Sequence, residues 1–248
     1  MNPAEFAHIA RAEQHFWWYW GMRRILFGML DPLVRGRRLE RVLEGGCGTG
    51  YMARLLEQRY GWRLYPVDYG AEGLQFGRTL GVERLAQADI AALPFPAGAF
   101  DAVVSLDVLV HFPRGEEGGV VEELARVLTP GGLLVVRVSA LDALRSRHSQ
   151  FAFERQRFTR RRLVSLVERR GFRVLRTTYA NSLLLPVALA KFRLWEPLLG
   201  RRPASGIGGV PGWLDRLLYC PLACEARWIE AGRNLPLGQS LILIGERV

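Results

Sequence analysis

Lysine is almost absent from this sequence, although the chain is strongly basic. The 248 residues include 34 lysines and arginines against 24 aspartates and glutamates, for a net charge of +10, and Lys191 is the only lysine. An excess of basic residues is typical of proteins that bind nucleic acid. So strong a preference for arginine is equally consistent with the codon bias of a G+C-rich genome. The charge alone therefore does not predict a nucleic-acid partner.

Cysteine is also scarce. Cys47, Cys220 and Cys224 are too few for a disulfide framework and lack the spacing of a zinc site. Cys220 and Cys224 are four residues apart and could share a helix face, but no other pair supports a metal. We therefore expect no metal centre and a reduced, cytoplasmic setting.

Long apolar runs and a leader segment are missing as well. The first residues lack the basic region and apolar run of a secretory signal, and no stretch approaches the ~20 apolar residues that span a bilayer. The best candidate, residues 183–190, is eight residues long and ends at Lys191. Hydrophobic residues make up 49% of the chain, which is enough to form the core of one large α/β domain with additions.

Glycine is concentrated in one segment. Residues 41–50 read Arg-Val-Leu-Glu-Gly-Gly-Cys-Gly-Thr-Gly, and a helical apolar pattern begins directly after them. A strand, a glycine turn and a helix bring backbone N–H groups and a helix N-terminus against a ligand. The dinucleotide fingerprint G-x-G-x-x-G would require a third glycine where Tyr51 stands. A plain turn is the alternative interpretation.

This segment resembles the first motif of class I S-adenosylmethionine (SAM) dependent methyltransferases, usually written V-L-D-x-G-C-G-T-G. Glu44 stands where that family commonly has aspartate, so a carboxylate is kept near the methionine end of SAM. The resemblance covers residues 41–180 and the final strand. It implies a Rossmann-like α/β fold, a seven-stranded, mostly parallel sheet of order 3-2-1-4-5-7-6 with helices on both faces. The implied cofactor is SAM, which leaves as S-adenosylhomocysteine.

Asp68 follows the second predicted strand, residues 63–67, and lies 22 positions after Gly46. A carboxylate at this place can accept hydrogen bonds from both hydroxyls of a ribose. The alternative is an aspartate that caps the following helix. The glycine segment and Asp68 together predict a nucleoside site more strongly than either does alone.

Two later segments resemble the same family. Asp89 and Ile90 match its adenine-binding segment, in which an aspartate accepts from the exocyclic amine and the next backbone N–H meets the ring. Residues 100–106 form the clearest buried strand, and in the family the end of this strand borders SAM and the acceptor. The predicted cofactor-binding residues are Glu44, Gly45, Gly46, Cys47, Gly48, Gly50, Asp68, Tyr69, Asp89, Ile90, Leu106 and Asp107.

His111 is the candidate general base. It follows the fourth strand, and the usual pKa of histidine, about 6.5, lets an imidazole accept a proton near neutrality. The family often has glutamate immediately before this histidine, where Val110 stands here. The alternative is that His111 makes a structural hydrogen bond beside the pocket.

Residues 1–40 form an N-terminal extension that is predicted to be helical over residues 4–30. It contains Glu-Gln-His-Phe-Trp-Trp-Tyr-Trp at residues 13–20. This run resembles the E-x-x-H-[FW]-W-[FW]-x-x-x-R-R start of a bacterial subgroup of type 11/12-like methyltransferases. The resemblance implies a lid whose residues near the cofactor or substrate are His15, Trp18, Tyr19 and Arg23. The alternative is that the aromatic side chains only anchor the extension to the domain.

Residues 139–162 alternate basic and aromatic side chains after the fifth strand, whose end should face the ligand crevice. We interpret this segment as an acceptor-site loop for an anionic or glycosylated substrate, with His148, Arg155 and Arg157 as substrate residues. A solvated charged surface is the alternative interpretation.

A helical insertion, residues 181–238, precedes the last strand. Two amphipathic helices, residues 183–199 and 213–232, flank a loop rich in glycine and proline at residues 200–212. Such helices could cover the sheet, form the face of a homodimer or make a peripheral contact with a membrane surface. The predicted units are the extension 1–40, the methyltransferase core 41–180, the insertion 181–238 and the final strand 239–248.

The resemblance implies in-line transfer of a methyl group from SAM to an O, N or C acceptor on a small molecule, lipid or sugar-type metabolite. Two alternatives stay open, a methyltransferase-fold binding protein without activity and a nucleotide-dependent oxidoreductase, against which Tyr51 argues. RNA and protein acceptors fit less well. The sequence has no recognised nucleic-acid module, and Ser-Leu-Asp-Val at residues 105–108 replaces the N/D-P-P-[FY] motif of enzymes that methylate amino groups. We expect a monomer or a homodimer.

Overall fold

A computed structural model describes residues 1–198, 205–207 and 210–248. Its centre is one seven-stranded sheet of order β3-β2-β1-β4-β5-β7-β6, which confirms the predicted order. The first five strands run parallel, and β7 lies antiparallel between β5 and β6. The strands are β1 (Arg41–Gly45), β2 (Arg63–Asp68), β3 (Ala86–Gln87), β4 (Phe100–Leu106), β5 (Leu128–Ser139), β6 (Phe172–Ala180) and β7 (Ser240–Arg247).

Helices follow most strands, and their ends carry the expected signals. The Thr159 hydroxyl accepts a hydrogen bond from the Arg162 N–H at the start of α7, and Gly61, with φ of +70°, ends α3. In the described residues the helices are α1 (Pro3–Ala12), α2 (Trp17–Val34), α3 (Tyr51–Tyr60), α4 (Ala71–Thr79), α5 (Glu117–Val127), α6 (Arg147–Phe151), α7 (Arg160–Glu168), α8 (Leu185–Ala190), α9 (Glu196–Leu198) and α10 (Gly212–Glu230). Short 3₁₀ turns cover Leu109–His111 and Asp142–Leu144, and a π-helical turn covers Lys191–Trp195.

The sheet has an apolar layer on each face. On one face α5 and α7 bury Val121, Leu124 and Leu163. On the other face α2, α3 and α10 bury side chains such as Ile25 and Leu222. Because the central parallel strands are covered on both faces, they are continuous apolar runs in the sequence.

Half of the N-terminal extension belongs to the core. The predicted helix over residues 4–30 is broken by a turn between α1 and α2, and α2 is packed against the sheet and α10. The buried side of α2 therefore belongs to the core, and a lid stays a prediction for α1, the turn and the first residues of α2. The sequence-based prediction considered only the run of aromatic side chains, whereas the buried stripe of α2 lies one turn further along the chain. The fully buried residues of α2 are Met22, Ile25, Leu26 and Met29.

The insertion splits into two parts with different roles. α10 packs along α2 and is fully buried at Leu222, Ala226 and Ile229, so it covers the sheet as a core helix. The Glu225 carboxylate accepts hydrogen bonds of 2.7 Å from the N–H groups of Ser182 and Leu183, where the insertion begins. The last residue of the first predicted helix, 199, and residues 200–204 and 208–209 of the predicted loop lie outside the described residues. Within the described ranges, no helix combines the length and the apolar character needed to cross a membrane.

The contact between α2 and α10 depends on a glycine. A Cβ added to Gly21 would lie 2.5 Å from Cβ of Leu222, well inside van der Waals contact. We expect Gly21→Ala to lower the free energy of unfolding by about 1–3 kcal/mol, because the two helices must move apart. Urea denaturation followed by circular dichroism measures this change.

Gly119→Ala in α5 is the matched control, since an added Cβ there meets no described atom within 4 Å. This variant should gain about 0.5–1 kcal/mol from the reduced entropy of the unfolded chain. Equal stabilisation of the two variants would contradict close packing of α2 on α10.

Candidate active site

A cavity of about 1090 Å³ opens at the edge of the sheet that is formed by the carboxyl ends of the parallel strands. Its walls come from α1, the turn before α2, the glycine loop after β1 and the segments that follow β2, β4 and β5. Ligands of open α/β sheets bind at this edge, because the loops after neighbouring strands diverge there. The cavity is therefore the candidate active site.

The glycine loop is held in a conformation that larger residues would not allow. Gly46 has φ of +79°, and a Cβ added to it would lie 2.2 Å from Cγ2 of Val108. The N–H groups of Gly46 and Cys47 both donate to the Val67 carbonyl oxygen, at 2.8 and 2.9 Å. Gly46 thus allows the ends of β1, β2 and β4 to come close together.

Asp68 connects two loops of the cavity. Its Oδ2 accepts a hydrogen bond from the Gly48 N–H at 2.7 Å, and its Oδ1 accepts one from the Gly70 N–H at 2.8 Å. Burial raises the pKa of this carboxyl, and the two backbone hydrogen bonds oppose the rise. Each oxygen accepts one such bond, so lone pairs are left for a ligand in the cavity.

Two further carboxylates are buried in the cavity wall. Burial raises the pKa of Glu44 to about 8 and that of Glu13 to about 7. Glu13 Oε2 accepts a hydrogen bond from the Thr49 hydroxyl at 2.6 Å. Among the described residues, Oε1 of Glu13 and Oε2 of Glu44 have no hydrogen-bond partner. Buried oxygens of this kind favour a ligand that carries a positive charge or hydrogen-bond donors.

Sequence reasoning did not assign a role to Glu13. It is the first residue of the segment 13–20, and that position alone gave no reason to expect a contact with the glycine loop. The structure places the turn between α1 and α2 directly on that loop, through the hydrogen bond between Glu13 and Thr49. The motif therefore links the extension to the predicted cofactor loop.

An ion pair lies beside the end of β4. The Nε of Arg137 donates to Oδ2 of Asp107 at 2.9 Å, and the guanidinium lies 5.0 Å from the ring centroid of Trp18. Asp107 has φ of +60°, an uncommon backbone conformation for a residue other than glycine. Arg137 was missed by the sequence analysis, although a charged residue within the apolar run of β5 was a usable signal.

Three of the four predicted lid residues reach the cavity. Trp18 and Tyr19 line it, and burial raises the pKa of Tyr19. Arg23 lines it as well, donates to the Glu13 carbonyl oxygen and lies 5.4 Å from the ring centroid of Tyr51. His15 is exposed in the turn and does not line the cavity, because the chain reverses there and directs Glu13 inward.

Phe6 attaches α1 to the predicted cofactor loops. The ring is buried, and a Cβ added to Gly73 or Gly70 would lie 2.7 or 2.8 Å from it. A Cβ on Gly48 would lie 3.8 Å from the same ring. α1 therefore covers the loops that hold Asp68.

Most of the predicted cofactor residues share this cavity. Gly45 lies behind it, where an added Cβ would meet Ile90 at 2.7 Å, and Gly50 begins α3 with φ of +71°. The Asp89 side chain is exposed, and its Oδ1 accepts from the Ala91 N–H at 2.9 Å. The predicted residues that line the cavity are Glu44, Gly46, Cys47, Gly48, Asp68, Tyr69, Asp89, Ile90, Leu106 and Asp107.

His111 also lines the cavity. Its Nδ1 lies 3.3 Å from the Phe153 carbonyl oxygen, a contact that assigns the proton to Nδ1 and leaves Nε2 as the basic nitrogen. Burial lowers the pKa of His111, so the neutral ring is the main form near pH 7.

The predicted acceptor loop is only partly available to a substrate. Arg157 lines the cavity, but its Nε donates to Glu154 at 3.0 Å, and the pair is buried. His148 also lines it, and its Nδ1 accepts from the Gly206 N–H at 3.1 Å. Arg155 is exposed and does not line the cavity. Sequence spacing could not show which of these side chains already has a partner.

No group of three histidine, cysteine or acidic side chains suited to a metal ion occurs in the part of the chain that the structure describes. Cys47 is buried beside Gly46 and Gly48, and burial raises the pKa of its thiol. Cys220 and Cys224 are exposed on α10.

Comparison with known proteins agrees with this geometry. The family described as "Methyltransferase domain" matches residues 43–136. The 2-methyl-6-phytyl-1,4-hydroquinone methyltransferase of Synechocystis sp. is 34% identical over 114 residues, which cover 44% of this chain and 34% of the relative. The malonyl-[acyl-carrier protein] O-methyltransferase of Enterobacter lignolyticus is 32% identical over 144 residues, which cover 58% of this chain and 56% of the relative. The chain thus spans between about a third and somewhat more than half of these curated relatives.

The fold is similar to solved structures over a longer stretch. A SAM-dependent methyltransferase from Archaeoglobus fulgidus superposes with a TM-score of 0.60 at 16% identity, covering 91% of this chain and 93% of that one. The matched segment contains the glycine loop, Asp68 and the fourth strand, which together form the predicted cofactor side of the cavity. Residues 43–136 of this chain thus match a family of methyltransferase domains, and the fold is similar to that of a SAM-dependent methyltransferase.

Proposed function

We propose that this protein is a methyltransferase that moves the methyl group of SAM to an O, N or C atom of a small molecule, lipid or sugar-type metabolite. One observation carries the proposal. The glycine loop, the bridging carboxylate of Asp68 and the unpaired buried oxygens of Glu13 and Glu44 meet in a single cavity. This set of groups suits a ligand with a nucleoside at one end and positive charge at the other.

The residues present fit SAM. Its ribose diol suits the lone pairs of Asp68, and its adenine suits Asp89 and Ile90 at the cavity wall. Its cationic methionine end suits the unpaired oxygens of Glu13 and Glu44. When bound, SAM supplies an electrophilic methyl group on a sulfonium that becomes a neutral leaving group.

The protein's own contribution to the reaction is positioning and exclusion of water. Trp18 and Tyr19 line the cavity from the side of the extension, and α1 covers the loops around Asp68. We propose that α1 and the following turn act as the lid, held closed by Phe6 and by the bond between Glu13 and Thr49. A dry, closed site favours transfer because it fixes the distance between acceptor and methyl group.

His111 is the proposed general base for acceptors that must lose a proton. Its Nδ1–H faces the Phe153 carbonyl oxygen, and the ring is neutral near pH 7 because burial lowers its pKa. Nε2 can then take a proton from a hydroxyl or a carbon acid in the cavity.

The acceptor class is proposed from the relatives and from the walls of the cavity. The relatives are named for a hydroquinone and for malonyl-[acyl-carrier protein], two acceptors of different chemistry. The acceptor side of the cavity combines polar side chains, such as Ser146 and Asn181, with the aromatic rings of Phe192 and Trp195. This mixture suits a metabolite with both a polar and an apolar part.

Asp68 provides the direct test of SAM binding. We expect Asp68→Ala to weaken the binding of SAM and of S-adenosylhomocysteine by about tenfold to a hundredfold, because hydrogen bonds to a charged group contribute about 1.5–3 kcal/mol. Isothermal titration calorimetry on the purified protein measures both affinities.

Asp101→Ala is the matched control. Oδ2 of Asp101 also accepts two backbone N–H groups, from Glu40 and Arg41 at 2.9 and 2.8 Å, but at the opposite edge of the sheet. It should lose stability and keep the affinity for SAM. Failure of the unmodified protein to bind either compound would refute the proposed function.

Glu13 makes the closed lid sensitive to pH. The pKa of this carboxyl is about 7 in the folded protein against 4.5 for an ordinary glutamate, because the side chain is buried. A raised pKa stabilises the folded state at low pH, and that contribution is lost as the pH rises through 7. Between pH 5 and pH 8 we therefore expect the wild type to lose stability relative to Glu13→Gln, by an upper limit of about 3 kcal/mol.

Urea unfolding of both proteins at a series of pH values measures this difference. Glu168→Gln, at the exposed end of α7, is the control that leaves the cavity unchanged. A constant difference between wild type and Glu13→Gln across this pH range would show that Glu13 is not buried in solution.

A further inference from the structure

The helical run of residues 183–198 leaves large apolar side chains in solvent. It consists of α8, the π-helical turn and α9, preceded by Leu183. The exposed fractions are 57% for Leu183, 60% for Val187, 66% for Leu194, 65% for Trp195 and 83% for Leu198. So many exposed apolar side chains in one short segment mark an interaction site and not an ordinary surface.

The run has an inner side that is fixed to the fold. Leu185 and Ala188 are buried in a small apolar cluster with Leu144. Oε2 of Glu196 accepts a hydrogen bond from the Arg147 N–H at 3.0 Å. The inner contacts account for only part of the apolar surface, and Val187, Leu194 and Leu198 point elsewhere. The segment therefore has two apolar sides. The protein covers one of them, and the other is exposed to solvent.

The same run forms part of the wall of the cavity. Lys191, Phe192, Trp195 and Glu196 all line it, and Trp195 is at the same time exposed to solvent. The exposed run therefore borders the cavity through Trp195. Whatever covers this run also faces the entrance to the proposed acceptor site.

The charges of the run indicate an anionic partner. Lys191, the only lysine of the chain, and Arg193 are exposed. Glu196, the single acidic residue of residues 183–198, is turned toward the Arg147 backbone. Basic residues beside exposed leucine and tryptophan are the composition of helices that lie in the interface of anionic bilayers.

We propose that residues 183–198 dock on the surface of an anionic lipid bilayer, with Leu194, Trp195 and Leu198 immersed among the headgroups and the mouth of the cavity facing the lipid. The docking itself stands on the exposed run. Its link to catalysis rests on the proposed function, since only a methyltransferase would use the arrangement to reach a lipid-resident acceptor.

Sedimentation with vesicles tests the docking. The full chain is mixed with large vesicles of phosphatidylcholine and phosphatidylglycerol in equal parts, or of phosphatidylcholine alone. We expect binding to the mixed vesicles that weakens as salt is added. The double variant Leu194→Gln with Leu198→Gln should bind about tenfold less tightly or worse, because two apolar anchors are lost. Arg193→Gln should lose about fivefold on the mixed vesicles only.

Val248→Gln is the matched control, since this exposed apolar residue follows β7 at the opposite edge of the sheet. It should bind vesicles as the wild type does. Equal binding by the double variant would overturn the proposal, and so would the absence of wild-type binding to mixed vesicles. A concentration-dependent dimer without lipid, removed by the same double variant, would assign the run to a second copy of this chain and would also overturn it.

Fluorescence quenching gives a second, independent measurement. Mixed vesicles whose lipids carry brominated chains should quench part of the tryptophan emission, and Trp195→Phe should remove that part. Trp228→Phe, an exposed tryptophan on α10, is the control that should leave the quenching unchanged. Quenching that persists in full in Trp195→Phe would overturn immersion of this run.

Calorimetry with SAM on the same double variant separates the two proposals. The variant should bind SAM as the wild type does, because neither leucine lines the cavity. Loss of vesicle binding with normal SAM binding supports docking. Failure of every protein to bind SAM would refute the proposed function and leave the vesicle result to stand by itself.

Discussion

The carboxylate of Asp68 holds together the part of the molecule on which the candidate site depends. It ties the loop after β1 to the loop after β2 through the N–H groups of Gly48 and Gly70. Those loops leave neighbouring parallel strands, and the N–H groups of Gly46 and Cys47 also donate to Val67 at the end of β2. α1 then rests on the same pair of loops through Phe6. A single, partly buried carboxylate thus helps to set the relative positions of the glycine loop and the helix that covers it.

The cavity concentrates negative charge that the protein only partly neutralises. Arg137 pairs with Asp107, whereas Glu13 and Glu44 each keep an oxygen without a partner among the described residues. Burying such groups is unfavourable unless something compensates them. Their raised pKa values show that without a ligand they partly retain protons at neutral pH. A cationic ligand would supply the missing compensation, so binding and ionisation of these side chains are coupled in this site.

The order of the strands and the meeting of the glycine loop with Asp68 could be predicted, because these segments and β4 resemble the corresponding parts of class I methyltransferases. The role of α2 could not, since its buried stripe depends on α10, almost 200 residues later in the chain. The pairing of Arg157 with Glu154 and the contact of Glu13 with Thr49 were also hidden. They depend on how separate segments meet, and sequence patterns report only which face of an element is apolar.

The two sides of the cavity come from separate stretches of the chain. The matched segment, residues 43–136, supplies the glycine loop, Asp68 and His111, whereas His148, Phe192 and Trp195 come from later residues. The second group sits on short helices outside the seven-stranded sheet. Under the proposed function these later residues face the acceptor, so substitutions or insertions there would alter acceptor choice while the sheet and the glycine loop keep their sequence. Divergence among relatives should therefore be fastest after β5, and exchanging this stretch between homologues is a route to new acceptor specificity.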